Sequence, residues 1–290
     1  MATLKYLVTH PGGAHKDELL ACALLIANHP VPIFRRPPSE EELVASDIAV
    51  VDIGHCYQSE RLNFDHHQFD RKSEPTCSVS LVLKHLGLFD AAKRFCKWLP
   101  FTERLDCWGP QATADWMGLN RSQFTAMNSP LDIGLLSVFA KQTKLCPGEP
   151  LFEVIRAIGE ELIIFLQLQS ARIAYLEQHV QTWNFSVAAN VYKVLFLAKS
   201  EDQPDRVTAA FSDYIESADL SHNLCALVYP DSRSEGYGLK RFEDASPIYL
   251  SAIAAEADVH FVHASGFLAK TSTSDPKRIR RLLEIALKAG

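Results

Sequence analysis

Early in the chain, apolar runs repeatedly lead into groups that bind divalent metals. The run from Leu4 to Thr9 ends at His10, the run from Ile48 ends at Asp52, and a short loop later stands the tripeptide Asp65-His66-His67. This pattern demands a fold that brings the ends of buried strands together. An open α/β sheet does so, because it builds its sites at the carboxyl ends of its strands.

The intervening segments fit that architecture. Residues 4–9 run into Pro11, Gly12 and Gly13, as a buried strand feeding a tight loop would. From Asp17 the stretch DELLACALLIANH has the apolar density of a helix packed on a sheet, with Asp17 and Glu18 where the helix dipole favours negative charge. Residues 31–36 predict a second strand, 40–46 a short helix, and 48–54 a third strand that is apolar on both faces until Asp52. Right-handed crossovers would lay these strands parallel, so His10 and Asp52 are expected to meet at one edge of the sheet.

Further along, two helix-like stretches precede Asp106, which stands just before a Trp-Gly-Pro turn. Residues 151–183 are helical by pattern, and alternating strands follow. The last helix starts near Pro276 and carries Arg278, Arg280 and Arg281 where its dipole does not favour cations, so these are expected to be solvated. A length of 290 residues suits two domains. The expected architecture is α/β: a parallel-sheet domain over 1–145, a helical connector over 146–182, and a smaller α+β domain over 183–290.

A net charge of -6 argues against a surface coated for gripping long nucleic acid and favours small or terminal substrates. The seven cysteines are odd in number and form no CxxC pair, so neither a zinc ribbon nor a disulfide framework is expected. A reducing compartment is the default for such a set. No stretch approaches the ~18 apolar residues of a membrane span, and a soluble, cytoplasmic protein without a membrane partner is expected.

Two neighbouring divalent ions need several carboxylates and imidazoles, one of them a bridging carboxylate. His10, His15, Asp17, Asp52, His66 and Asp106 form such an inventory, and its mix of nitrogen and oxygen donors suits manganese, with magnesium or another divalent metal as alternatives. Plainer readings exist for single members: Asp17 as a helix cap, and His66 and His67 as exposed loop residues.

The segments THPGGAHKDELLAC, VVDIG, FDHHQ and FVHASGF, in this order and spacing, resemble the DHH phosphoesterase superfamily, and within it the melanocyte proliferating gene product family of exonuclease-like proteins. The resemblance implies two manganese ions in the N-terminal domain and a smaller C-terminal domain that holds substrate. One ion would take His10, His15 and Asp52, the other Asp17, Asp52, His66 and Asp106, with Asp52 as the bridge. His67 would touch the scissile phosphate or protonate its leaving oxygen, and Asp65 would orient the histidines. Relatives outside this branch usually carry an aspartate where His15 stands, so the first ion would be held here with less negative charge.

His263 and Gly266 lie in the late motif and are expected to contact substrate, since glycine allows close backbone approach and histidine can meet a phosphate. A plain strand-end turn is the other reading. Lys240, Arg241, Arg35 and Arg36 are weaker phosphate candidates, expected to be solvated. The implied function is metal-dependent 3′-5′ exonuclease action on RNA or short oligonucleotide ends. A phosphatase or cyclic nucleotide phosphodiesterase acting on a small phosphorylated substrate, and a non-catalytic metal-stabilised binding module, stand as alternatives.

Overall fold

A computed structural model of the chain describes residues 4–70, 72–243 and 247–288. Two compact units divide it, residues 1–168 and 169–290, and the division falls within the long helix Pro150–His179.

Unit 1 opens with strand β1 (Tyr6–Thr9), helix α1 (Lys16–Asn28), β2 (Ile33–Arg35), α2 (Glu40–Val44) and β3 (Ile48–Val51). Then come β4 (Tyr57–Gln58), β5 (Asn63–Phe64), α3 (Ser78–His85), α4 (Phe89–Phe95) and α5 (Leu99–Trp116). The unit is completed by α6 (Arg121–Ala126), α7 (Pro130–Ala140), β6 (Lys144–Leu145) and the first part of α8 (Pro150–His179). Its sheet has the order β4-β5-β3-β1-β2-β6. The pairs β1·β2, β1·β3 and β3·β5 are parallel, and the edge pairs β2·β6 and β4·β5 are antiparallel.

The chain steps from β1 to β2 on one side and then returns to β3 on the other, which makes β1 a point where strand order reverses. Sites in open α/β sheets form at such points. Register places the chemistry there. Thr9 pairs with Val51 and Val51 with Phe64, so the next residues, His10, Asp52 and Asp65, leave three adjacent strands side by side.

Helix α1 is buried along most of its length, including Leu19 and every residue from Ala21 to Ala27, which explains its lack of a polar face. Its neighbours include α3, α5 and α7. Packing against α8 is closer still, because a β-carbon on Gly159 would lie 2.0 Å from the Ala23 carbonyl oxygen. The core joins Leu24, Ile26, Val51, Leu81, Phe139 and Phe152, each contributing roughly 1.5–3 kcal/mol by leaving water.

Helix α5 contains Asp106 and is broken at Gly109 (φ 78°), so Pro110 begins its second segment. The segment around Asp106 is therefore helical up to the break that the Trp-Gly-Pro sequence suggests.

Unit 2 contains β7 (Val180–Val187), β8 (Asn190–Leu197), α9 (Phe211–Ser217), β9 (Leu224–Pro230), β10 (Tyr237–Arg241), β11 (Val259–Val262), β12 (Leu268–Thr271) and α10 (Pro276–Lys288). Its sheet order is β11-β12-β10-β9-β8-β7, antiparallel except for the parallel pair β8·β9. Val228, Leu239, Ile279, Leu282 and Leu283 lie at its centre. The arginines of α10 are not simply solvated, as the sequence suggested. Arg278 pairs with Asp258 and Glu256, and the Arg280 guanidinium lies 4.6 Å from the centre of the Trp183 ring.

Candidate metal centre

Asp52 sits at the middle of the site and is only 3% exposed. Its backbone is left-handed (φ 58°), as are those of Gly54 (φ 103°) and His55 (φ 49°), so the chain turns sharply as it leaves β3. Such conformations are costly for residues with a β-carbon and concentrate at functional sites. The turn directs the two carboxylate oxygens of Asp52 to different neighbours. Oδ2 lies 3.4 Å from His10 Nε2, and Oδ1 lies 3.1 Å from His66 Nε2.

Two groups of donors share this carboxylate. In the first, ligand atoms of His10, His15 and Asp52 all lie within 4.8 Å of one another. In the second, the same holds for Asp17, Asp52, His66 and Asp106. His66 Nε2 is 2.8 Å from Asp106 Oδ2, and the exposed His15 places Nδ1 3.5 Å from Asp106 Oδ1. Asp17 lies inside α1 rather than at its cap, and its Oδ2 accepts a 3.3 Å bond from the Ser78 backbone N–H.

The donor set fits a cation. Burial, then the Asp52 and Asp106 charges, push the Asp17 carboxyl well above the usual carboxylate range. Its Oδ1 is buried without a hydrogen-bond partner, and so is His66 Nε2, whose contacts to Asp52 and Asp106 do not satisfy hydrogen-bond geometry. Without an ion, protons on the imidazoles offset the carboxylates. Burial opposes protonation of His10, but Asp52 and Glu18 raise it to about 10; in the same way Asp106 and Asp52 raise His66 to about 12. Close lone pairs on buried oxygen and nitrogen atoms are what a divalent ion satisfies.

His67 and Asp65 are arranged differently. Asp65 is buried and accepts bonds from the His55 and His67 backbone N–H groups, at 2.7 and 3.0 Å, and from His67 Nδ1 at 2.6 Å. Burial works against its charge, but these donors hold it down at about 2. His67, raised chiefly by Asp65, is half-exposed. It lines two cavities of unit 1. One, of about 320 Å³, also touches His10, His15 and Asp52; the other, of about 230 Å³, touches His66, Asp106 and Trp108.

Several residues of the site are not evident from the sequence. The Ser78 hydroxyl donates to Asp52 Oδ1 at 2.9 Å while its backbone holds Asp17, so the start of α3 fixes two of the carboxylates. Glu18 is fully buried, contacts His10 Nε2, and pairs with Arg35 at 2.9 Å. Arg35 is itself buried and also donates to the Gly12 and Gly13 carbonyls, so it braces the loop carrying His10 and His15 rather than meeting solvent or phosphate. Arg36 pairs with Glu42. The only sequence sign of such bracing is a charged pair, Glu18 and Arg35, flanking apolar runs.

His263 and Gly266 lie in unit 2, in the turn between β11 and β12. His263 Nδ1 is 2.8 Å from Ser265 Oγ, and Gly266 (φ 67°) occupies a conformation that glycine favours. Among the described residues, no helix is long and apolar enough to cross a membrane.

Residues 6–93 match the family MYG1_exonuc, described as an uncharacterised protein family (UPF0160). A "MYG1 protein" of Dictyostelium discoideum is 34% identical over 92 residues, 28% of this chain and 27% of that protein. "MYG1 exonuclease" proteins of Bos taurus and Homo sapiens are 46% and 45% identical over 65 residues, 21% of this chain and 16% of theirs. The matches therefore span about a quarter or less of these relatives. A solved DHH-domain structure aligns with 99% of this chain and 87% of its own at 12% identity and a TM-score of 0.34, a likeness that carries neither fold nor function across. Residues 6–93, the part of the chain that is similar to this family, include His10, His15, Asp17, Asp52 and the Asp65-His66-His67 tripeptide.

Proposed function

We propose that the protein is a metal-dependent phosphodiester hydrolase with two ions, manganese being the best match to the donors. The observation that carries this reading is the carboxylate of Asp52, shared by two donor groups with one oxygen toward each. His10, His15 and Asp52 would hold one ion, and Asp17, Asp52, His66 and Asp106 the other. Bound there, the ions would supply Lewis acidity and offset phosphate charge.

The chain's own groups complete the chemistry. His67 faces both cavities, and its bond to Asp65 favours the protonated imidazole, which suits it to touch the scissile phosphate and give a proton to the departing oxygen. Asp65 keeps the imidazole oriented and favours its charged form. Asp52 and Asp106, through their contacts to His66 and His15, hold the donors in place before substrate arrives. The cavities have room for a nucleotide end rather than a duplex, and the net charge of -6 gives little general attraction for a long polyanion.

The substrate this supports is RNA or a short oligonucleotide degraded from its 3′ end; the mammalian relatives are named exonucleases, which supports cleavage at an end. Within unit 2, His263 and Gly266 are the candidate substrate contacts, and a cytoplasmic location suits the seven free cysteines. The test is incubation with manganese and end-labelled RNA, DNA, dinucleotides and nucleoside bisphosphates. Stepwise loss of 3′ nucleotides is the expected result. Release of inorganic phosphate alone would replace the exonuclease reading with a phosphatase, and no turnover of any substrate would leave a binding module.

A further inference from the structure

Three imidazoles of the site differ in what meets their Nδ1 atoms. His10 Nδ1 donates to the Pro11 carbonyl at 2.9 Å, His67 Nδ1 donates to the Asp65 carboxylate at 2.6 Å, and His66 Nδ1 faces the Cys107 sulfur at 3.9 Å. The Cys107 thiol has another contact. It donates to the Thr76 carbonyl at 3.4 Å, which leaves the sulfur lone pairs turned to His66 as an acceptor. A chain of hydrogen bonds results, from His66 Nδ1–H to Cys107 Sγ–H to the Thr76 carbonyl.

From this arrangement we infer that Cys107 is a positioning residue for His66, fixing its ring and its Nδ1–H tautomer so that the Nε2 lone pair is presented to a metal ion. A second observation supports it independently: His66 is more than nine-tenths buried, and its Nε2 lies among Asp52 and Asp106 oxygens without a hydrogen bond. Metal-binding imidazoles characteristically have the opposite nitrogen held by an acceptor, which sets both tautomer and orientation. Here the acceptor is a thiol.

The choice of partner separates the two histidines of the tripeptide. A carboxylate beside Nδ1, as at His67, stabilises an imidazolium and suits a group that carries a proton. A neutral acceptor at Nδ1, as at His66, orients the ring and leaves the Asp52 and Asp106 carboxylates on the Nε2 side, where an ion would share them, and so suits a ligand. The helix break at Gly109 ends the segment that places Asp106 as a donor and Cys107 as the support for another donor in consecutive positions.

This inference rests on the two-ion reading above, and a metal titration separates the two. Manganese binding to the full-length parent, Cys107→Ala and Cys107→Ser is followed by the paramagnetic resonance of free Mn²⁺, with thermal unfolding of each ion-free protein as the check on folding. The parent should bind two ions. Cys107→Ala should lose about 10–100-fold in affinity for one of them, the usual cost of removing an outer partner of a ligand. Cys107→Ser, which keeps a group able to donate to Thr76 and accept from His66, should stay within about threefold of the parent.

If the parent binds no ion, the metal reading fails and this inference with it. If Cys107→Ala binds both ions with parent affinity, the metal reading stands and the role of Cys107 is overturned. Should Cys107→Ala fail to fold, the serine variant decides: retained affinity supports the relay, and a tenfold loss in a folded protein refutes it.

Discussion

Unit 1 buries Asp17, Glu18, Arg35, Glu42, Asp52, Asp65, His66 and Glu103, whereas unit 2, among the described residues, buries one formal charge, Arg172, and satisfies it with the Asp205 carbonyl and Gln169. Other charges of unit 2 pair closer to the surface, as in Lys270 with Asp231 and Arg278 with Asp258. The two cores are otherwise alike in kind, each a sheet with apolar side chains packed against it. Burying a charge without a full set of partners is expensive, so an excess of carboxylates in one core marks the place where a ligand is expected. Unit 1 is organised around a candidate ion site, and unit 2 around its packing.

The largest test of this contrast is Asp52→Ala. It removes a donor from both groups and leaves any two ions poorly screened from each other, so turnover should fall by at least about 10³-fold and metal content should drop. Elemental analysis beside a rate assay checks it. Two ions per chain at the parent rate would show Asp52 to be an ordinary strand-end carboxylate.

Next, manganese should stabilise unit 1 selectively. At a free concentration of one hundred times the dissociation constant the gain is about 2.7 kcal/mol. Amide exchange should therefore slow in α1 and α3, with β8 and β9 unchanged. Equal slowing in both units would erase the contrast.

Within unit 1, the His66→Asn variant should lose bound metal, while His67→Asn should keep it and react roughly 100-fold more slowly. Equal metal loss in the two variants would remove the division between ligand and proton donor.

The smallest effect belongs to Glu42, a buried carboxylate of unit 1 that is paired in the manner of unit 2. Arg36 leads in holding it down at about 2 from 4.5, against burial, with Ser39 and Tyr6 assisting. Because the folded value is the lower one, its contribution to stability is complete above about 4.5 and disappears as pH falls through about 2. Glu42→Gln should cost of the order of 1 kcal/mol in urea unfolding at pH 6 and almost nothing near pH 2. An undiminished difference at pH 2 would mean that the ion pair contributes nothing.

Much of this was legible because of where apolar runs stop. His10, Asp52 and Asp65 each follow a buried strand residue, and parallel register alone aligns Thr9, Val51 and Phe64. The supports were not legible, since each depends on segments meeting across the fold. Ser78 reads as an ordinary helix residue until α3 is seen to start against Asp17 and Asp52. Arg35 reads as surface charge until the loop carbonyls of Gly12 and Gly13 close over it. Asp17 offered helix capping as its simplest role, and only the depth of α1 removes that reading.

The left-handed backbone at Asp52 also limits what mutation can do there. As the proposed shared ligand, the position needs a negatively charged oxygen donor on a side chain short enough to tolerate φ near 58°. Asparagine accepts the conformation but gives up the charge, glycine accepts it and gives up the donor, and glutamate keeps the charge but lacks the local bonding that makes this region accessible to aspartate. In a library randomising this codon, function should survive in aspartate alone, while folded protein should be recovered from a wider set led by asparagine and glycine. The same experiment at Phe64, one strand over and set by packing, should instead return a range of apolar residues.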